Sequence, residues 1–507
     1  MESNDLLGKE SVGKLLLKLA IPAVVAQLVN LLYNLVDRLY IAGLHIDAAF
    51  SGLTVCFPIL MIVAAFSGLI GMGGAPLASI KLGENNKDEA EKILGNSFIM
   101  LIIISLVLSV VIFFARVPLL KLFGANEEIM PYALGYLNIY IVGTIFVQMS
   151  MGLNMFITAQ GFAKTSMITV LVGAIANIIL DPIFIFGLKM GVKGAALATI
   201  LAQAISCVWV LAFLFGKKTT IKIKVKNFKL KAKCILPILA LGISPFIMQA
   251  TESLVQLTFN SSILKYSQTP EEATQWIAAM GILFIGMQIF SMILMGIAQG
   301  AQPIISYNYG AKNLPRVKAT FKLLLITCVS VTAVFFVLYM AVPQVLAIPF
   351  ATSDAVQKLA VHGMRIFLAG SFIFGVQTAC QQTLVALGQS KTSLFLAILR
   401  KIILLIPLAM ILPLFFNNKI DALLSAEPIA DILAAIITFI TFAITFKKLK
   451  AKMEKEAPPV VLATESATDT TINVNNDVDN FNVQQNTTAT TQEKTDDTNA
   501  SEKADNN

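Results

Sequence analysis

Charged residues are scarce in this chain of 507 residues. Asp, Glu, Lys and Arg together make up 13% of the sequence, whereas a soluble domain carries about a quarter. Hydrophobic residues make up 56%, and the mean hydropathy is +0.77. Apolar runs of about twenty residues, long enough to cross a bilayer, recur along most of the chain. These properties exclude a cytosolic enzyme, a nucleic-acid-binding protein and a fibrous protein, and they predict a polytopic membrane protein.

Motifs for ATP hydrolysis and for intramembrane catalysis are also lacking. The sequence has no G-x-x-x-x-G-K-[ST] motif, so the chain cannot itself hydrolyse ATP. Its two histidines, His45 and His362, lie in or near predicted outer loops, and neither a zinc cluster nor a nucleophile–base pair at one membrane depth is expected. The five cysteines lack the spacing of a disulfide or metal site. We therefore expect no enzymatic activity, no cofactor and an ion gradient as the energy source.

Twelve apolar segments are long enough to be membrane-spanning helices. They cover residues 15–41, 50–79, 95–115, 131–158, 165–187, 194–216, 235–262, 276–304, 320–345, 364–387, 393–414 and 428–446. With the N-terminus in the cytoplasm, the inner loops carry 24 Lys and Arg residues and the outer loops carry 7. Because positive residues collect on the cytoplasmic side, this bias predicts that both termini face the cytoplasm.

A repeat divides the chain into two similar halves. Five residues at and after the end of the second span recur at a constant offset of 227. They are Gly73, Pro76, Ser79, Gly83 and Asn86, which match Gly300, Pro303, Ser306, Gly310 and Asn313. Each half then holds six helices, an even number, so both halves enter the membrane in the same orientation. The predicted fold class is an all-α membrane protein with twelve transmembrane helices in two six-helix lobes, a parallel repeat typical of transport by alternating access.

The repeat sets the predicted domain boundaries. Residues 1–216 form an N-terminal six-helix lobe and residues 235–448 a C-terminal one, joined by a basic cytoplasmic linker at 217–234. This linker has eight lysines and no acid; it either lies against anionic headgroups or only connects the two halves. Residues 449–507 form a cytoplasmic tail, which we expect to be disordered because it is rich in Thr, Asn and acids.

Polar residues form a stripe along the first predicted span. Gln27, Asn30, Asn34 and Asp37 follow one another at intervals of three, four and three residues, which places them on one helix face. An isolated Asp in the membrane costs about 2.5–3.5 kcal/mol on insertion scales, so this face must meet partners or water. We interpret the amides of the stripe as lining a substrate cavity.

A second acid lies in the fifth predicted span. Asn177 and Asp181 are one turn apart and share a helix face. By depth, Asp37 and Asp181 fall in one layer with Tyr136 of the fourth span and Thr199 of the sixth. Two carboxylates with amide, hydroxyl and phenol oxygens could hold a hard monovalent cation or share a proton. The alternative is that these groups only hydrogen-bond one helix to another.

The second half does not repeat these acids, since Asn260 and Leu408 stand at the matching positions. Its own stripe, in the seventh predicted span, consists of Gln249, Glu252, Gln256 and Asn260. Glu252 is interpreted as a counter-ion for a substrate or as a second coupling site. The alternative is a buried acid that the neighbouring glutamines neutralise.

Two further polar pairs lie in the tenth and eleventh predicted spans. Gln377 and Gln381 are four residues apart, a spacing suited to lining the cavity. Arg400 and Lys401, near the start of the eleventh span, are interpreted as interfacial anchors rather than as substrate ligands.

Several short motifs are together specific to one transporter family. They comprise the stretch from Pro22 through Asp37 to Gly43, Ala75-Pro76 with Lys81-Leu82-Gly83, Asn177 with Asp181-Pro182-Ile183-Phe184-Ile185-Phe186-Gly187, Gly191 with Gly194-Ala195-Ala196, Gly300-Ala301-Gln302-Pro303, and Asn308-Tyr309-Gly310-Ala311. With these residues the chain resembles the multidrug and toxic compound extrusion (MATE) family over residues 10–446.

This resemblance implies a two-lobe exporter of the cytoplasmic membrane that exchanges external Na⁺ or H⁺ for small cationic, amphipathic compounds. It implies no cofactor, and neither it nor the composition suggests a nucleic-acid partner. Asp37, Asn177, Asp181 and Thr199 match the family's N-lobe cation site, and Tyr136 fits by depth. If the protein is sodium-coupled, the first three of these residues are the expected Na⁺ ligands.

A lipid-linked oligosaccharide flippase of the same superfamily is the alternative function. Such a protein handles a pyrophosphate anion and would need basic residues in its cavity. The acids and amides predicted along this cavity disfavour that alternative.

Overall fold

The computed structural model describes residues 3–44, 46–351 and 353–456, which form seventeen α-helices joined by short connections. The N-terminal half contains α1 (Ser3–Lys9), α2 (Val12–Ala42), α3 (Asp47–Gly83), α4 (Lys87–Leu122), α5 (Met130–Ala159), α6 (Ala163–Pro182) and α7 (Val192–Phe215). The C-terminal half contains α8 (Ala232–Tyr266), α9 (Pro270–Gly310), α10 (Leu314–Ala341), α11 (Gln344–Ala347), α12 (Asp354–Phe367), α13 (Ser371–Ala386), α14 (Ser390–Ile398), α15 (Ile406–Phe415), α16 (Lys419–Leu424) and α17 (Ala426–Glu456). Two π-helical turns, Ile183–Gly187 after α6 and Leu399–Leu405 between α14 and α15, interrupt the regular spacing.

The described helices confirm the predicted membrane fold. Eleven of them, α14 and α15 counted as one, are long and apolar enough to cross a bilayer, and a twelfth span is formed if α12 and α13 are taken together. These two helices bend by 54° at their junction. At the bend, Gly370 lies so close to α17 that a Cβ there would be 2.7 Å from the Cα of Pro428.

Most predicted spans differ from the observed helices by several residues at one or both ends, and two of these differences lie in the C-terminal half. The tenth span was expected to begin at residue 364, but α12 already begins at Asp354, where Ser353 caps it through a hydrogen bond from the amide of Val356. The twelfth span was expected to end at residue 446, but α17 continues to Glu456, into the predicted tail. The rest of the predicted tail lies outside the described residues.

The sequence repeat is visible in the loops after α3 and α9. Asn86 caps α4 by accepting a hydrogen bond from the amide of Glu89, and Asn313 caps α10 in the same way. The preceding residues, Asn85 and Lys312, both have positive φ, at 58° and 56°. A side-chain cap and a left-handed residue at equivalent positions give the two loops the same local geometry.

The two halves meet at glycines near these loops. A Cβ on Gly83 would overlap the carbonyl oxygen of Tyr307, and a Cβ on Gly310 would overlap that of Ile80. Because Ile80 and Tyr307 are also 227 residues apart, the same contact occurs twice across the boundary between the halves. Glycine is required here, since any side chain would push α3 and α9 apart.

The contact between the halves continues along α3 and α8 and then ends. Gly242 lies against the backbone of Leu69, and Gln249, two turns further along α8, comes close to Gly68. Another two turns on, Gln256 lies on the same helix face but is exposed, as is Glu252. The halves therefore touch near the 84–86 and 311–313 loops, and from the exposure of Glu252 and Gln256 we infer that they separate toward the opposite end and leave a cleft there.

The connection between α7 and α8 is held against the N-terminal half. The side-chain oxygen of Gln160 accepts hydrogen bonds from the backbone amides of Thr220 and Ile221, at 2.8 and 2.9 Å. Ile221 and Ile223 are buried, and Lys224 forms an ion pair with the buried Glu91 at 2.5 Å. These contacts show that the segment is a packed part of the fold in addition to connecting the halves.

We expect Gly310→Val to prevent the close contact between α3 and α9, because overpacking such a contact costs about 1–3 kcal/mol. The measurement is maleimide labelling of a Ser79→Cys reporter, since Ser79 donates a hydrogen bond to Pro303 across this contact. The five native cysteines are buried and give a low background.

Gly281→Val on the same helix is the matched control, because no atom lies within 4 Å of a Cβ placed there. Labelling should rise in Gly310→Val and stay at the starting level in Gly281→Val. Equal labelling of the two variants would contradict the assignment of this contact.

Candidate ion and substrate site

Four helices of the N-terminal half bring the predicted coupling residues together. Asp37 on α2 and Asp181 on α6 are buried, with 8% and 0% of their surface exposed. Asp37 lies within electrostatic range of Asp181 and of Tyr136 on α5, and Thr199 on α7 lies beside the Tyr136 hydroxyl. The layer predicted from helix depth is thus observed as one cluster, with Tyr136 also stacked on Tyr140 at 6.2 Å between ring centres.

Local backbone features position the α6 and α7 residues of the cluster. Asn177 and Asp181 are one turn apart, and the Asn177 amide donates a hydrogen bond of 3.2 Å to Asp181 Oδ1. Pro182 ends the regular helix and a π-helical turn follows. Gly194 lets α7 approach this turn, because a Cβ there would lie 2.7 Å from the backbone of Phe184.

Three oxygen atoms of the cluster have no hydrogen-bond donor among the described residues. They are Asp37 Oδ1, Asn177 Oδ1 and Asp181 Oδ2, all buried. A buried carboxylate or amide oxygen without a partner costs about 1–3 kcal/mol or more, so a group that satisfies all three would be stabilised here. Carboxylate and amide oxygens are ligands of hard cations, and a proton added to one carboxyl group would create the missing donor.

The other predicted residues of α2 have different surroundings from one another. Gln27 lies at the boundary between the halves, where its amide donates a hydrogen bond of 3.1 Å to Gln299 on α9. Asn30 is half-buried. The side chain of Asn34 lies outside the described part of the structure.

The predicted cavity residues of the C-terminal half fall into two groups. Glu252, whose side chain is 56% exposed, and Gln256 face the cleft, and Asn260 is half-buried. Gln377 and Gln381 on α13 are buried at 3% and 2% exposure. The Gln381 amide points at the sulfur of Met248 at 3.2 Å, so this pair packs inside the C-terminal half.

The interpretation of Arg400 and Lys401 as interfacial anchors is wrong. Both are buried, and Arg400 donates to Asp431 at 2.7 Å and to Glu427 at 2.8 Å, while Lys401 is paired with Glu252. The cause is the packing of the turn Leu399–Leu405 between two helices, since Arg400 reaches the acids of α17 while Lys401 reaches Met248 and Glu252 of α8.

Glu427 and Asp431 were not predicted from the sequence. They are four residues apart at the start of the last apolar segment, and thus on one helix face. The sequence did offer a signal for these ion pairs: two acids at this spacing, and two adjacent basic residues in the preceding apolar segment. The structure joins them through Arg400, whose guanidinium also lies 4.6 Å from the centre of the Phe374 ring.

The helical fold, the cleft and the buried acids define a polytopic membrane protein of the transporter class. A family model, MatE, matches residues 22–183 and again residues 245–411, one match in each half. Because these matches cover more than half of the chain, the chain belongs to the MatE family, the multidrug and toxic compound extrusion transporters. The family resemblance inferred from the motif residues is confirmed, and the chain is a transporter rather than an enzyme.

Similar proteins of established name are multidrug exporters. The multidrug export protein MepA of Staphylococcus haemolyticus is 27% identical over 433 residues, which are 85% of this chain and 94% of that protein. MepA of Staphylococcus aureus strain N315 is 25% identical over 434 residues, with the same coverage.

Solved structures confirm the fold. A crystal structure of a MATE transporter in its bent conformation has a TM-score of 0.82 at 21% identity and covers 90% of this chain and 99% of that chain. A MOP superfamily transporter from Pyrococcus furiosus, described as having a binding pocket of reverse polarity, also has a TM-score of 0.82 at 21% identity, with coverage of 89% and 99%.

We expect Arg400→Met to destabilise the protein strongly, because it leaves two buried acids without their cation. Breaking a buried ion pair by removing one partner costs about 3–5 kcal/mol. The measurement is thermal unfolding in detergent, with Arg365→Met as the control, since Arg365 is exposed on α12. Adding Glu427→Gln to Arg400→Met should restore part of the loss. If Arg400→Met and Arg365→Met unfold at the same temperature, the ion pairs are not structural.

Proposed function

We propose that this protein is a secondary active antiporter that exports cationic, amphipathic compounds in exchange for Na⁺ or H⁺. The observation that carries the proposal is the set of three buried oxygen atoms of Asp37, Asn177 and Asp181 that lack a donor among the described residues. A site of this kind binds a small cation or a proton and stays unsatisfied without one. It therefore supplies the binding step through which an ion gradient can drive transport.

Coupling requires two conformations that the ion and the compound bind with different affinity. In the proposed cycle, residues 1–216 and 235–448 form two lobes that move relative to each other, with 217–234 as the connection. The observed contacts close the end that carries the loops 84–86 and 311–313. Because the positive charge of the loops assigns this end to the cytoplasm, the conformation is outward-facing with both termini inside.

The exchange then follows from the placement of the acids. An external cation or proton enters the Asp37–Asp181 cluster, and the conformation that holds it releases the compound outward. Return to the inward-facing conformation releases the ion into the cytoplasm, where the cleft accepts a new compound. Glu252 in the cleft and the multidrug export function of the MepA relatives support a cationic, amphipathic substrate and a location in the cytoplasmic membrane.

The flippase alternative has no support from the cleft. A pyrophosphate group would need basic side chains that face it, but Arg400 and Lys401 are buried and paired with three acids. The MepA relatives also favour export of small compounds.

The experiment is efflux of a cationic dye from proteoliposomes under a Na⁺ gradient and a pH gradient, imposed separately. We expect one gradient to drive efflux and both Asp37→Asn and Asp181→Asn to lower the coupled rate about tenfold or more, since the loss of coupling is worth more than about 1.4 kcal/mol. Asp354→Asn is the matched control, because Asp354 is exposed at the start of α12.

The gradient that drives efflux identifies the coupling ion. Normal efflux by Asp37→Asn and Asp181→Asn would show that the site is misassigned. Failure of folded wild-type protein under both gradients would refute antiport and favour the flippase.

A further inference from the structure

A buried lysine reaches the one acid described as facing the cleft in the C-terminal half. The ammonium group of Lys401 donates hydrogen bonds to the carbonyl oxygen of Met248, at 3.0 Å, and to Glu252 Oε1. The Lys401 side chain is 4% exposed, whereas that of Glu252 is 56% exposed. Glu252 thus contacts Lys401 on the side of the helix bundle and faces the cleft on its other side.

The neighbouring ion pairs fix the backbone from which Lys401 extends. Arg400 is held by Glu427 and Asp431 on α17. Arg400 directly precedes Lys401 in the same π-helical turn, so the ion pairs of Arg400 also hold the Lys401 backbone in place. The lysine side chain itself is unbranched and flexible, so its ammonium group can still move. These five charged groups, two cations and three carboxylates, have a formal charge of minus one, so the cluster attracts one more cation.

A second acceptor for the lysine lies inside the same cluster. Glu427 Oε2 is buried and has no donor among the described residues. The other oxygen of Glu427, Oε1, accepts a hydrogen bond of 2.8 Å from Arg400, the residue that directly precedes Lys401, so Glu427 belongs to the same charged cluster as the lysine. The ammonium group can therefore leave Glu252 without becoming a buried charge that lacks a partner.

We propose that Lys401 is a built-in competitor for the cationic group of the substrate: it occupies Glu252 when the cleft is empty and turns toward Glu427 when a substrate cation takes its place. The inference rests on the proposed export function and specifies how the cleft binds its substrate. It assigns to Lys401 a role in specificity and release, and to Glu252 that of the substrate's counter-ion.

The physical reason is the cost of an unpaired carboxylate at membrane depth. If Glu252 had no internal partner, releasing the substrate would leave a poorly solvated anion, and the substrate would be held too tightly. When the substrate cation leaves Glu252, the Lys401 ammonium group takes its place, so that one cation–carboxylate pair is exchanged for another. Such an exchange lowers affinity for the cation and speeds its departure without a change in the shape of the cleft.

Removing the lysine should therefore strengthen binding and slow export. We expect Lys401→Met to bind tetraphenylphosphonium about fivefold more tightly or better, and to transport it with a lower KM and a lower maximal rate. Binding of triphenylphosphine oxide, which is similar in its aromatic groups but uncharged, should not change. Equilibrium binding to purified protein and efflux from proteoliposomes measure the two effects, with Lys164→Met, at an exposed position of α6, as the control.

Lys401→Arg gives the opposite expectation and keeps the buried positive charge, so it tests the inference even where Lys401→Met does not fold. A guanidinium group holds a carboxylate through two hydrogen bonds and competes better than an ammonium group. Tetraphenylphosphonium should bind more weakly to this variant, with triphenylphosphine oxide unchanged. In a Glu252→Gln background, Lys401→Met should leave the affinity for both probes unchanged, because the carboxylate for which the lysine competes is absent.

Three results would overturn the inference. One is an unchanged affinity of the Lys401 variants for tetraphenylphosphonium, and another is an equal loss of affinity for the charged and the uncharged probe. In both cases wild-type export under an ion gradient leaves the proposed function intact. The third is wild-type protein that neither binds nor exports tetraphenylphosphonium under either gradient, which contradicts the export function and this inference together.

Discussion

A carboxylate within the apolar layer of a membrane needs a positively charged partner, and this requirement explains how the acids of both halves are arranged. In the C-terminal half the partners belong to the protein, because Arg400 and Lys401 neutralise most of the charge of Glu252, Glu427 and Asp431. In the N-terminal half, Asp37 and Asp181 form no ion pair among the described residues, since the neighbouring Arg38 guanidinium lies against the Phe57 ring at 4.6 Å, and three oxygens of the cluster lack a donor. The acids of the C-terminal half are thus paired within the protein, whereas we propose that those of the N-terminal half bind a cation or a proton from outside it.

The backbone that carries these two groups of acids is nearly the same in both halves. Asn86 and Asn313 cap equivalent helices, and Gly83 and Gly310 make the same contact in both directions across the boundary. The repeat is therefore preserved where the backbone must pack closely, near the loops. It is lost where the chemistry of the site is decided, since Asn260 and Leu408 replace the acids of the first half. In the proposed mechanism the halves pivot at this closely packed end, while the polar groups toward the other end are free to differ.

Hydropathy, periodicity and the repeat were sufficient to predict the spans and the cluster around Asp37 and Asp181. These features depend on regular helical spacing and on depth, both of which can be counted along a sequence. The environment of Arg400 and Lys401 could not be predicted in this way, because it depends on which helices lie on either side of their turn. Arg400 meets two acids of α17 and Lys401 meets Glu252 of α8, and these contacts join segments far apart in the sequence. The bend between α12 and α13 was missed for a related reason: it depends on the approach of Pro428 to Gly370, a contact between distant segments.

The separation of the two charge clusters constrains how antiport can work. If the coupling ion and a cationic substrate competed for the same carboxylate, exchange would follow from direct displacement and would need little structural change. Here the acids proposed for the ion are buried in one half, whereas Glu252 is open to the cleft and belongs to the other. In the proposed mechanism, an ion bound at Asp37 and Asp181 influences a cation at Glu252 through the relative position of the halves, to which the Gln27–Gln299 hydrogen bond and the glycine contacts contribute. Lys401 then competes with the substrate locally, whereas the ion acts through the conformation of the two lobes. The two effects involve different contacts, and the movement of the lobes links them.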